Sequence, residues 1–165
     1  MPSITLPDGD KHFFDEPVNG LEIAARISPS LAKAALVINV NGDLWDLSRR
    51  IDQDSTVIII TGRDEESLEV IRHDTAHLMA EAVKELYPDT QVTIGPAIKD
   101  GFYYDFARSE PFTPEDLIMI EARMTEIVNR NEVITREIWN RNDAIEFFKT
   151  AGEYYKSEII SRARA

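Results

Sequence analysis

The spacing of apolar residues changes near residue 62, and this change constrains the fold more than any other sequence feature. Before it, short apolar runs alternate with turn residues, as in Ile4-Thr5-Leu6 and Lys11-His12-Phe13-Phe14 around Pro7-Asp8-Gly9. After it, apolar residues recur mainly at helical spacing. We therefore expect an α+β protein in two parts, residues 1–62 and 63–165.

The first part carries signals for a hairpin, a helix, a second hairpin and a buried strand, in that order. Helical spacing from Leu21 to Ile27 predicts a short helix, which Pro29 ends. Asn41-Gly42, between two strand-like runs, is the strongest two-residue hairpin signal. The continuous apolar run Val57-Ile58-Ile59-Ile60 predicts a strand buried on both faces. This order predicts a small β-grasp domain.

The second part begins with a predicted long helix, from a candidate cap at Asp64 to about Leu86, ended by Pro88. Its expected apolar stripe comprises Leu68, Ile71, Leu78, Met79, Ala82 and Leu86. Further signals predict a hairpin at Asp100-Gly101, a helix start at Thr113-Pro114, a strand at Val133 to Trp139, and a last helix capped by Asn142. The second part is therefore predicted to be α+β.

Composition excludes several classes of protein. The chain has 165 residues, a net charge of −12 and no cysteine, so it contains no disulfide scaffold, thiolate zinc cluster or thiol nucleophile. No apolar run approaches the roughly 20 residues of a membrane span, and the N-terminus lacks the basic start of a signal peptide. We expect a cytoplasmic protein without membrane contact. Its acidic balance argues against tight nucleic-acid binding by bulk charge.

Two of the three histidines, His73 and His77, lie four residues apart within the predicted long helix. This spacing places both rings on one face, opposite the apolar stripe, where Ala76 and Ala80 are expected to leave room for a substrate. Two solvated surface histidines, or a metal-binding pair, are the alternatives. Asp74 replaces the glutamate of HExxH, which argues against a metalloprotease, and we predict no metal site.

Several separated motifs resemble one family in the right order. The stretch from Glu69 to Met79, with Ile94-Gly95-Pro96-Ala97-Ile98 and Asp100-Gly101-Phe102-Tyr103-Tyr104-Asp105-Phe106, is similar to the second N-terminal domain of bacterial threonyl-tRNA synthetases. Residues 1–62 resemble the TGS domain that precedes it. Gly152-Glu153-Tyr154-Tyr155-Lys156 also matches, so that the resemblance runs from residue 1 to about 158.

The resemblance implies a ligase that charges tRNA(Thr) with threonine using ATP, and an editing domain at 63–165 that helps to hydrolyse mischarged seryl-tRNA(Thr). Serine lacks one methyl group of threonine, and a pocket discriminates against such a loss by only about 1–3 kcal/mol. A second, hydrolytic site solves this problem. Imidazoles suit ester hydrolysis because they exchange protons near neutral pH.

Site residues are carried over by the resemblance. His73, His77 and Lys156 are implied as catalytic, and Tyr104 and Gly95 as substrate-binding. Each has a structural alternative. Tyr104 alternates with Phe102 and Phe106 as a core aromatic would, Lys156 alone would be a surface lysine, and Gly95 would shape a turn.

The resemblance also implies partners and cofactors. We expect the acceptor end of tRNA(Thr), threonine and ATP as partners of a homodimeric enzyme. No cofactor is expected in this chain, whereas ATP, magnesium and zinc are implied for a catalytic domain that no part of it matches. The family's cysteine-containing editing segment is also unmatched, so we expect weak editing by this chain alone. The alternative is a non-catalytic, TGS-containing binding or regulatory module.

Overall fold

The computed structural model describes residues 1–163. The chain consists of two compact units, unit 1 at Met1–Ile71 and unit 2 at Arg72–Ala165. The division falls inside a long helix, nine residues after the predicted boundary at 62, and the assignment of domains to 1–62 and 63–165 stays a prediction. No helix among the described residues is long and apolar enough to cross a bilayer.

Unit 1 is a mixed sheet with two helices. Its elements are β1 (Ser3–Thr5), β2 (Lys11–Phe13), β3 (Val18–Asn19), α1 (Gly20–Ile27), α2 (Pro29–Ala34), β4 (Ala35–Val40), β5 (Asp43–Trp45), β6 (Arg50–Ile51) and β7 (Ser55–Thr61). Five strands form one sheet in the order β2-β1-β7-β4-β5. β1 and β7 are parallel and the other neighbours are antiparallel. This arrangement confirms the predicted β-grasp.

The hairpin of β4 and β5 turns at Asn41 and Gly42, as predicted. Both residues have positive φ, 54° and 105°, as a tight two-residue hairpin turn requires. The Asn41 side chain also bridges to β7: its Oδ1 accepts the Thr56 N–H at 2.8 Å and its amide donates to Ser55 Oγ at 3.3 Å. The Gly42 N–H donates to Asn39 Oδ1 at 2.8 Å. The turn is therefore fixed by side chains as well as by its backbone.

The core of unit 1 lies on one face of the sheet. Ile23 of α1 packs there with aliphatic residues of the strands, among them Ile4, Ile38 and Val57. The prediction that β7 is buried on both faces was wrong, because Ile58 points to the other face and is 44% exposed. Pro29, predicted only to end α1, also begins α2 as its first residue, where its missing N–H costs nothing.

Unit 2 consists mainly of helices. α3 (Glu65–Leu86) crosses the division between the units, and the elements that follow are β8 (Gln91–Val92), β9 (Ala97–Ile98), β10 (Gly101–Phe102), β11 (Phe106–Ala107), α4 (Pro114–Arg130), α5 (Arg141–Thr150) and α6 (Tyr154–Arg162). β9 pairs with β10 across a turn at Lys99 and Asp100, one residue before the predicted turn at Asp100-Gly101, and β8 pairs with β11. The predicted hairpin is therefore confirmed as a long ribbon with two short paired segments.

α3 has the predicted bounds, but the side chain of Asp64 is bonded differently from what the sequence predicted. The carboxylate of Asp64 does not cap the helix; it accepts the N–H and hydroxyl of Thr61, at 2.6 and 2.8 Å. These bonds lower the pKa of Asp64. The predicted apolar stripe is also partly wrong, because Leu68 and Ile71 are exposed.

The later elements confirm one prediction and correct two. Thr113 caps α4 in a reciprocal arrangement with Asp116, as the sequence indicated. Val133 to Trp139 forms no strand with the described residues, and Val133 and Ile134 are almost fully exposed. Alternation alone was misleading there, because a strand requires a pairing partner. Asn140, two residues before the predicted cap, caps α5.

Candidate functional site

His73 and His77 form a directly bonded pair on α3. Their Nε2 atoms lie 3.0 Å apart, and the rings meet edge to face with centroids 4.6 Å apart. At this distance one ring donates an N–H to the lone pair of the other, so that the two Nε2 atoms share one proton. The spacing of one helical turn, which the sequence revealed, is what brings the rings together.

The environment of His77 favours its neutral form. Burial lowers its pKa from the ordinary value of 6.5, and the positive charges of His73 and Lys156 lower it further, against the opposing effect of Asp74. Desolvation and like charge both disfavour an imidazolium. Its surroundings therefore favour neutral His77, in which one of the two ring nitrogens carries a lone pair.

The alanines beside the pair do not leave open space. Ala76 is completely buried and Ala80 nearly so, which overturns the prediction that they make room for a substrate. Ala82 and Val83 are buried on the same helix. The buried face of α3 thus extends up to the histidines, because small side chains allow the rest of unit 2 to pack closely there. A substrate must approach the pair from the exposed side of α3.

Tyr104 lies directly on the backbone of Gly95. A Cβ atom added to Gly95 would lie 2.0 Å from Cδ2 of the tyrosine ring. The ring is half-buried and stacks on Phe106, with centroids 4.9 Å apart. The contact explains glycine at position 95 by close approach, which is a structural role. Substrate binding by Tyr104 and Gly95 stays a prediction.

Lys156 projects from α6 beside a buried carboxylate. Its Nζ lies 3.9 Å from Oε2 of Glu153 and 5.5 Å from the centre of the Phe148 ring. Lys156 is one of the charges acting on His77. Burial and the charge of Glu153 both raise the pKa of Tyr104. Glu153 therefore connects two of the predicted residues electrostatically.

Sequence reasoning missed Glu153 and its partner Lys84. Glu153 belongs to the run Gly152-Glu153-Tyr154-Tyr155-Lys156 that was singled out for its lysine, so proximity in sequence was the available signal. Lys84 lies seven residues after His77, close to two helical turns, and therefore on the same side of α3. Its Nζ binds Oε1 of Glu153 at 2.8 Å. Neither burial nor pairing of these residues can be read from the sequence.

The described residues include no group of three or more His, Cys, Asp or Glu side chains arranged to hold a metal ion. His73 and His77 supply at most two ligands from one helix.

Comparison with known proteins gives consistent matches along the chain. A family model of the TGS domain matches residues 2–61. Threonine--tRNA ligases of Paramagnetospirillum magneticum and Rickettsia akari are each 60% identical to the chain, over 162 and 161 residues. That of Granulibacter bethesdensis is 59% identical over 160 residues. These alignments cover 97–98% of this chain but 25% of each relative, so the chain spans about a quarter of their length. Residues 2–61 therefore match the TGS family, and the chain as a whole is similar to the N-terminal region of bacterial threonine--tRNA ligases.

Proposed function

We propose that this chain is part of a threonine--tRNA ligase and that unit 2 contributes to hydrolysis of seryl-tRNA(Thr). The observation that carries the proposal is the bonded pair of His73 and His77, in a chain 60% identical to such ligases over 98% of its length. The ligase activity itself, joining threonine to tRNA(Thr) with ATP, belongs to the proposal.

The chemistry required is hydrolysis of an ester between serine and the terminal ribose. A water molecule must lose a proton as its oxygen attacks the carbonyl carbon, and the departing ribose oxygen must gain one. In our proposal His77 donates its Nε2–H to His73, and the Nδ1 lone pair of His77 accepts the proton from water. The pair then returns a proton to the ribose oxygen, which leaves as a hydroxyl group while serine is released as the free acid.

The surrounding charges suit this assignment. Burial and the nearby cations hold the pKa of His77 below 6.5, so the base is free of its proton at neutral pH. Lys156 supplies a positive charge near the base, where it favours the negative oxygen that develops on the attacked carbonyl. We assign Lys156 to this electrostatic role, and Tyr104 with Gly95 to one wall of the pocket.

Partners follow from the same proposal. The acceptor end of tRNA(Thr) would approach the exposed side of α3, and threonine, ATP, magnesium and zinc would bind elsewhere in a cytoplasmic, homodimeric ligase. With a net charge of −12, this chain attracts tRNA poorly. We therefore assign most of the affinity for tRNA to the remainder of the ligase.

The proposal is tested by His73→Ala and His77→Ala in the full-length ligase, with seryl-tRNA(Thr) as substrate. Loss of a positioned acid or base slows a reaction by about 100-fold or more, and we expect a fall of that order in each variant. Threonylation of tRNA(Thr) should be unchanged. The matched control is His12→Ala in β2, a histidine of unit 1 outside the pair.

Unaltered deacylation in both variants would exclude the assigned site. It would assign the hydrolysis to other residues of the ligase and leave unit 2 with a binding role. An equal loss in His12→Ala would indicate a general effect of removing histidine from the chain, and would also contradict the proposal.

A further inference from the structure

Glu153 is a buried acidic side chain to which the proposed reaction assigns no part. The residue is 7% exposed and stands immediately before α6. Its N–H donates to the carbonyl of Phe148 at 2.8 Å, which fixes the backbone where α5 leads into α6. A buried carboxylate is costly unless it is paired, so its partners indicate why it is there.

The first partner, Lys84, is held rigidly. Its ammonium group donates to the carbonyls of Pro88 and Thr90 at 2.6 and 3.0 Å, and it forms an ion pair with Oε1 of Glu153 at 2.8 Å. Two hydrogen bonds and one ion pair therefore hold the ammonium in place. Lys84 thus anchors one oxygen of Glu153 to the C-terminal part of α3, the helix that carries the histidine pair.

The second oxygen of Glu153, Oε2, lies near Lys156. Oε2 is buried and has no hydrogen-bond partner within residues 1–163. The ammonium of Lys156 lies 3.9 Å away, within ion-pair range but beyond a hydrogen bond. The same ammonium also lies over the face of the Phe148 ring, which restricts its movement on that side. Glu153 therefore stands between two cations, the fixed ammonium of Lys84 and that of Lys156, whose charge acts on His77.

We propose that Glu153 is the positioning residue for Lys156: anchored by Lys84, it holds the lysine ammonium beside the His73–His77 pair. This inference rests on the proposed function of the pair. Its physical basis is that the negative charge of Glu153 offsets the repulsion between two nearby ammonium groups. Without the negative charge, the ammonium groups of Lys84 and Lys156 repel each other. Lys84 is fixed by two carbonyls, so Lys156 is the one that moves into solvent.

A double-mutant cycle in the full-length ligase tests this inference. Glu153→Gln keeps the size of the side chain and removes its charge, and Lys156→Met removes the ammonium. The interaction free energy between two residues in contact typically corresponds to a roughly tenfold change in rate. We therefore expect Glu153→Gln to slow seryl-tRNA(Thr) deacylation about tenfold. In the Lys156→Met background the same change should alter the rate by less than about twofold.

The matched control is Glu158→Gln on the same helix, because Glu158 pairs with Arg162 at the surface. It should leave deacylation unchanged in both backgrounds. If Glu153→Gln slows the reaction by the same factor with and without Lys156, the carboxylate does not act through the lysine and the inference fails. An unchanged rate in Glu153→Gln alone would overturn it as well.

A second measurement is independent of editing activity. The charge of Glu153 contributes to the raised pKa of Tyr104, so Glu153→Gln should lower that pKa, observed by NMR of a ¹³C-labelled tyrosine ring. Glu158→Gln should not change it. An unshifted Tyr104 would show that no charged carboxylate faces the site. If the histidine variants leave deacylation intact while Tyr104 shifts, the proposed function fails and the placement of Glu153 stands.

Discussion

A single missing side chain determines where Tyr104 lies. The ring of Tyr104 occupies the space that a Cβ at position 95 would need, and that ring in turn stacks on Phe106. The tyrosine cannot retreat from the contact without disturbing the aromatic stack. Glycine at this position is therefore a condition for the observed place of Tyr104.

Gly95→Ala should destabilise unit 2 by about 1–3 kcal/mol, the range for overpacking a well-packed site. The matched control is Gly62→Ala, because a Cβ there would meet only Leu36 Cδ1 at 3.8 Å, an ordinary contact. Urea unfolding followed by circular dichroism measures both variants. Equal stability of the two would contradict the close approach of Tyr104 to the backbone.

For individual residues, the sequence predicted pairs within one helix or strand better than contacts between elements. The four-residue spacing of His73 and His77 was sufficient to predict that their rings lie on one face of the helix, one turn apart. The contact of Gly95 with Tyr104 joins the two sides of a ribbon whose register the sequence does not specify. Nothing in the sequence distinguishes the buried Glu153 from the exposed Glu158.

α3 and α4 are joined by a charged cluster. Glu85 of α3 accepts from Arg130 at 2.5 and 2.8 Å and from Arg123 at 2.9 Å. These bonds lower the pKa of Glu85 from 4.5 to about 2. Two bonds to one guanidinium fix direction as well as distance, so the cluster sets the register of the two helices.

The cluster predicts an acid dependence of stability. Between pH 4.5 and about 2 the unfolded chain protonates Glu85 while the folded chain does not, so unfolding takes up a proton and stability falls as the pH falls. Glu85→Gln should make this decline shallower. Urea midpoints measured across the window provide the test, with Glu126→Gln, a more exposed partner of Arg123, as the control. If stability falls with pH at the same slope in both variants, Glu85 is not held by the charged cluster.

Elements were predictable where their signals are local. Asn41-Gly42 specifies its turn by backbone preference, and Thr113 caps α4 through a residue three positions away. Val133 to Trp139 has the alternation of a strand but lacks a paired neighbour among the described residues. Asp64 has a side chain suited to capping, but Thr61 competes for its oxygens.

The two units differ in the cores that stabilise them. Unit 1 buries large branched side chains such as Ile4, Ile23 and Ile38 in one cluster. The cluster of unit 2 combines Ala82 and Val83 with residues of α4, and its surroundings are only partly buried. Burial of larger apolar area favours the folded state more strongly, so the units should differ in stability.

Unit 1 should therefore unfold at a higher urea concentration than unit 2. Trp45 lies in unit 1 and Trp139 in unit 2, so Trp139→Phe and Trp45→Phe each leave one fluorescent reporter. The midpoint from Trp45 should exceed that from Trp139, and circular dichroism at 222 nm, dominated by the longer helices, should follow Trp139. Coincident transitions would indicate that the chain unfolds as one cooperative unit.

The turn at Asn41 also bears on how the chain ages. Asn-Gly sequences deamidate when the glycine nitrogen attacks the asparagine side chain and closes a five-membered ring. Here Oδ1 of Asn41 is held by Thr56, its amide by Ser55, and the Gly42 N–H by Asn39. Ring closure requires these bonds to break together. The folded hairpin thus protects this dipeptide from deamidation. Deamidated Asn41 should accumulate mainly in molecules whose hairpin has opened.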